Sequence, residues 1–125
     1  MLISEMQSEV DRWISQFEEG YWHPLSMLAR LTEEVGELAR EINHRWGQKP
    51  KRAGEAEGDL ALEIADVLFI LACLANSQGI DLDQAFQEMM RKYRERDGQR
   101  WTPKAAALQP HRAPADAEAP PPEDA

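Results

Sequence analysis

Residues 59–77, DLALEIADVLFILACLANS, decide the fold. Wound as a helix, this stretch is apolar nearly all the way round, so it belongs in an interior. Yet it carries Glu63 and Asp66, three apart and therefore on one helical face. On a wheel of 100° per residue, Asp59, Glu63, Asp66 and Ile70 fall within a stripe about 60° wide. No Lys or Arg occurs from Ala53 to Met90. Neither acid therefore has a cation one turn away, and carboxylates in such surroundings are costly unless a cation neutralises them.

A matching pair lies upstream. LTEEVGELAR (31–40) places Glu34 and Glu37 three apart on another helix. Two such pairs facing each other would make an oxygen-rich site for a hard divalent cation. The competing reading pairs these acids with Arg30, Arg40 or the basic residues after position 90.

The rest of the chain reads as helices around this core. Residues 2–19 place Leu2, Met6, Val10, Trp13, Ile14 and Phe17 at spacings of three and four, with Gly20 as the expected stop. Residues 25–46 place Leu28, Leu31, Val35, Leu38 and Ile42 on a narrow stripe, the pattern of a bundle or coiled-coil seam, and Pro24 suits the first turn. Gly47 to Gly58 reads as a mobile surface loop. Asp81 caps a fourth helix running to about Arg96. No strand pattern appears, so the fold is expected to be all-α, a four-helix bundle-like unit.

At 125 residues this is one domain, assigned to 1–101. Six of the eight prolines follow Trp101, and residues 102–125 form a Pro/Ala-rich tail expected to be disordered. The net charge of −9 argues against a nucleic acid polymer as partner. The single cysteine, Cys73, excludes an internal disulfide and is expected in the core. Early acids interrupt any leader pattern, and the apolar run from Leu60 is short and acidic for a membrane span. The expected setting is cytoplasmic, with no membrane.

The ligand types narrow the chemistry. Without His or Cys in the cluster, zinc and copper are disfavoured, and Asp66 stands where a di-iron bundle would want His. Carboxylates alone suit Mg²⁺ or Mn²⁺, and Mg²⁺ commonly binds together with substrate phosphates. The implied ligand is a phosphate ester or nucleotide.

EEVGE at 33–37 followed by EIAD at 63–66 resembles the E-E-x-x-E…E-x-x-D signature of the MazG-type, all-α nucleoside triphosphate pyrophosphohydrolases. The resemblance covers about residues 20–101. It implies hydrolysis of NTPs or dNTPs between the α- and β-phosphates, in nucleotide-pool house-cleaning. It implies Mg²⁺ held by Glu34, Glu37, Glu63 and Asp66, with Glu33 orienting or deprotonating the attacking water. Lys92 and Arg96 match a K-x-x-x-R that contacts phosphates in the family, although Met89 stands where many members have Asn. The family also implies a homodimer or homotetramer. Trp22, His23 and Trp46 flank the metal helix and are candidates for contacting the base. The alternatives are another metal-dependent phosphohydrolase, such as one acting on a phosphoribosyl compound, and a non-enzymatic helical interaction module.

Overall fold

The computed structural model describes residues 1–55 and 57–105. Among these there are four α-helices and no strand: α1 (Ile3–Ser15), α2 (Pro24–Trp46), α3 (Leu60–Ser77) and α4 (Leu82–Asp97). The all-α expectation holds. Residues 106–125, most of the expected tail, lie outside the described residues.

The helix boundaries follow local chemistry. α2 starts at Pro24, whose missing N–H costs nothing there, and Leu25 N–H donates to His23 Nδ1 at 3.1 Å. Asp59 caps α3 by accepting from the N–H groups of Ala61 and Leu62. Asp81 accepts from Asp83 and Gln84 at the start of α4. α1 ends at Ser15, earlier than its apolar spacing predicts. Phe17 leaves the helical path and sets its ring edge-on to Trp13 at 5.1 Å, and Gly20, at φ 60°, makes the turn that follows.

The chain divides into two units, Met1–Met90 and the segment from Arg91 onward. In the first, α1 and α2 pack on α3. Val10, Met27, Ala72 and Cys73 form the buried cluster, with Met6, Ile14, Tyr21, Phe69 and Leu74 against it. A polar network locks the helix ends. Gln7 Nε2 donates to Asn76 Oδ1 (3.0 Å) and to the Ile80 carbonyl (2.8 Å), and Gln7 Oε1 accepts from Leu82 N–H (2.9 Å). Asn76 Nδ2 donates to Tyr21 Oη (3.0 Å), which in turn donates to Asp11 (2.6 Å).

Two expectations need correction. The α2 stripe, read as a bundle or coiled-coil seam, is not covered within the chain: Leu28, Val35 and Ile42 are exposed, and Leu31 and Leu38 half-buried. The buried positions of α2 are Met27, Glu34 and Glu41, spaced by seven. α2 thus brings Glu34 against Glu63 and Asp66 of α3, an approach of like charges that a cation would relieve. α3 likewise leaves Leu62, Ile64, Leu68 and Leu71 exposed. By length and composition α3 could cross a membrane, with a mean hydropathy of 1.9. It packs instead on two helices and carries Glu63 and Asp66 in its first two turns.

Candidate functional site

Glu34 from α2 and Glu63 and Asp66 from α3 bring one carboxylate oxygen each to within 4.8 Å of one another. The spacing of three within α3 puts both of its acids on the face toward α2, as the sequence requires. Glu34 is buried, Glu63 half-buried and Asp66 exposed, so the cluster opens to solvent on one side. Burial pushes the Glu63 carboxyl above its ordinary range, and the charges of Asp66, Glu37, Glu34 and Glu41 push it further. This is the electrostatic situation that a divalent cation relieves. Oxygen donors alone, at this separation, fit a hard cation.

The remaining acids take different places. Glu37 is exposed and outside the close trio, but its charge reaches Glu63. Glu33 is exposed and bound to Arg30 at 3.4 Å. Arg30 also holds Glu34, Nη2 to Oε1 at 2.7 Å. Arg40, the other cation considered as a partner, turns away to Glu55. Glu41, one turn beyond Glu37, is buried and bound by Arg45 at 2.9 Å. The bond from Arg45 and the nearby charges of Lys51 and His44 hold its carboxyl below the usual range, against a smaller opposing effect of burial. The sequence reading assigned Glu41 no role. Its signal was the position seven residues after Glu34, on the same face.

Beside the carboxylates lies a cavity of about 480 Å³. Trp13, Phe17, Tyr21 and Trp22 give it aromatic walls, Phe69 and Cys73 form its α3 side, and Arg30 stands at its edge. Burial raises the Cys73 thiol above its ordinary value, leaving it an inert wall residue. Of the proposed base contacts, only Trp22 lines this cavity. His23 uses Nδ1 to cap α2. Trp46 sits at the opposite end of α2, 70% exposed. Trp13 and Phe17 escaped the sequence reading because their helical spacing is equally that of core residues, and Tyr21 because it lies between helices, outside any periodic pattern.

In the second unit Lys92 and Arg96 are exposed on α4. Arg96 donates twice to Asp97, at 3.1 and 2.8 Å, and its guanidinium lies over the Tyr93 ring.

The sequence profile of the MazG nucleotide pyrophosphohydrolase domain matches residues 23–101, which include every carboxylate of the cluster. The chain belongs to the MazG family. Its relatives include the Bacillus subtilis protein YpjD, 57% identical over 102 residues, covering 82% of this chain and 92% of that protein. Bacillus subtilis YvdC is 30% identical over 98 residues, covering 68% and 92%. Among solved structures, Bacillus subtilis YpjD superposes with a TM-score of 0.68 at 56% identity, over 74% of this chain and 95% of that one. The Bacillus-conserved MazG protein, a nucleotide pyrophosphohydrolase, superposes with a TM-score of 0.67 at 46% identity, over 79% and 96%. This MazG chain is thus a pyrophosphohydrolase, and its acidic cluster can hold a metal ion.

Proposed function

We propose that this enzyme hydrolyses nucleoside or deoxynucleoside triphosphates to the monophosphate and pyrophosphate in the cytoplasm. The observation that carries this reading is the convergence of Glu34, Glu63 and Asp66 from two helices. Together with Glu37 they would hold Mg²⁺ or Mn²⁺. Such an ion supplies Lewis acidity and lowers the pKa of bound water.

The chain's own residues do the rest. Glu33, exposed and steadied by Arg30, takes the proton of the attacking water. The water oxygen bonds to the α-phosphorus. The bond from that phosphorus to the α–β bridging oxygen breaks, and its electron pair leaves with pyrophosphate. The aromatic cavity suits the base, with Trp22 as one stacking surface. His23 and Trp46 are secondary candidates, while Lys92 and Arg96 supply cations for the phosphates.

The uncovered stripes on α2 and α3 support a homodimer or homotetramer. Leu28, Val35, Ile42, Leu62, Ile64 and Leu68 are more exposed than a free chain in water favours.

A panel of NTPs and dNTPs incubated with Mg²⁺ tests the reading. Equal yields of monophosphate and pyrophosphate are expected. Release of orthophosphate instead, or no turnover of any nucleotide, refutes it.

A further inference from the structure

Met27, Arg30 and Glu34 follow one another on one face of α2, at spacings of three and four. Met27 lies in the aromatic cavity and Glu34 in the carboxylate trio. Seven residues of helix span only ~10 Å, so one long side chain between them can reach both. Arg30 is that side chain. It lines the cavity together with Trp13, Phe17, Tyr21 and Trp22, and its Nη2 lies 2.7 Å from Glu34 Oε1.

The same guanidinium faces a second carboxylate, with Nη1 3.4 Å from Glu33 Oε2. Glu33 and Glu34 are neighbours in sequence and lie about 100° apart round the helix. Arg30 stands three residues before one and four before the other, which is where a helical side chain meets both. A pair formed for charge alone would be served as well by lysine. The planar fork of arginine fixes the direction of two carboxylates at once, which a point charge does not. The Arg30 side chain is nonetheless half exposed, which leaves the fork some freedom. Planar rings stack on guanidinium groups, so a base seated among these aromatics would hold it in place.

We propose that Arg30 is a positioning residue through which binding of the base raises the rate of cleavage at the phosphates. The base orders the guanidinium. The guanidinium in turn sets Glu34 for the cation and Glu33 for the attacking water. The inference rests on the pyrophosphohydrolase reading and deepens it. Binding energy from the part of a substrate that does not react is spent on orientation at the part that does, so its loss shows in kcat and not only in KM.

Arg30→Lys in the full chain tests this, because it keeps the charge beside Glu34 and removes the fork. Thermal unfolding with and without Mg²⁺ should match the parent, so that fold and cation site are seen to survive. With the preferred triphosphate, kcat should fall about tenfold or more while KM changes less, since a misplacement of ~1 Å can cost up to about 100-fold. Inorganic tripolyphosphate, cleaved to orthophosphate and pyrophosphate, carries no base. Its turnover should lie well below that of the nucleotide and be the same in both proteins. Full nucleotide turnover by Arg30→Lys, a change in KM alone, an equal fall on tripolyphosphate, or loss of the stabilisation by Mg²⁺ overturns the proposal. If the parent releases no monophosphate and pyrophosphate from any nucleotide, the assigned activity falls and the coupling with it. If it releases both and Arg30→Lys slows the two substrates alike, the activity stands and the coupling alone falls.

Discussion

Arg30 joins the aromatic cavity to the carboxylate cluster: it lines the cavity, and its Nη2 lies 2.7 Å from Glu34 Oε1. The pair is asymmetric, with the Arg30 side chain 46% exposed and the Glu34 side chain only 9%. Removing the cation therefore strands a buried anion. Arg30→Met should lower stability in EDTA by about 1–2 kcal/mol, between the values for exposed and buried pairs. Saturating Mg²⁺ should restore most of the loss. Urea denaturation with and without metal measures both, and an equal loss in the two conditions would show that Glu34 does not share its charge with a cation.

Glu63 makes the opposite prediction. Its carboxyl is pushed up by burial and by four neighbouring acids, so its charge opposes folding when no metal is bound. Glu63→Gln should raise the melting temperature in EDTA. It should also abolish the stabilisation by Mg²⁺, which for the parent is about 2.7 kcal/mol at a hundred times Kd. Activity should fall at least ~100-fold, since even indirect partners of metal ligands cost 10–100-fold. Asp66→Asn should lose activity in the same way while remaining folded by circular dichroism.

In the wall of the aromatic cavity, Tyr21 sets a pH dependence. Burial, then the bond donated to Asp11, raises its hydroxyl from 10.0 to about 12. Folding favours the protonated form. Its contribution is therefore fully present below pH 10 and is lost as the pH rises toward 12. Tyr21→Phe should cost about 1 kcal/mol at neutral pH. It should also flatten the fall in stability between pH 10 and 12. Denaturation midpoints across that range decide it.

Much of this was legible in the sequence. The apolar helix with two acids three apart called for a neutralising cation, and Glu34 on α2 completes a set of oxygens that could hold one. What misled was the α2 stripe from Leu28 to Ile42. Periodicity identifies an apolar face but not what covers it. Glu41, buried on the same face as Glu34, had no role in that reading, because a Glu-rich helix reads as a solvated surface. Arg30 was equally ambiguous, since a cation four residues before Glu34 looks like an ordinary surface pair. The end of α1 was missed because Phe17 continues the helical spacing while its ring serves the cavity wall.

The uncovered stripe yields a prediction of its own. Val35 is 47% exposed and Leu28 56%, and a second copy would cover them. Leu28→Asp should shift the mass measured by light scattering from a multiple of 14.2 kDa toward 14.2 kDa itself. A parent chain that already runs as a monomer would remove pairing as the explanation for the stripe.

The aromatic cavity separates a binding role from a packing role. Trp13 is 54% exposed and Trp22 also 54%, too much for residues whose only task is to fill a core. Stacking of a base on an aromatic ring is worth about 1–3 kcal/mol by alanine substitution. Trp13→Ala should therefore raise KM for the preferred triphosphate about tenfold and leave the binding of inorganic pyrophosphate unchanged, because pyrophosphate has no base to stack. A purely structural role predicts instead that both are disturbed together with the melting temperature. Trp13→Phe keeps a ring and should recover most of the affinity. Failure of that rescue, with stability intact, would place the base elsewhere than against α1.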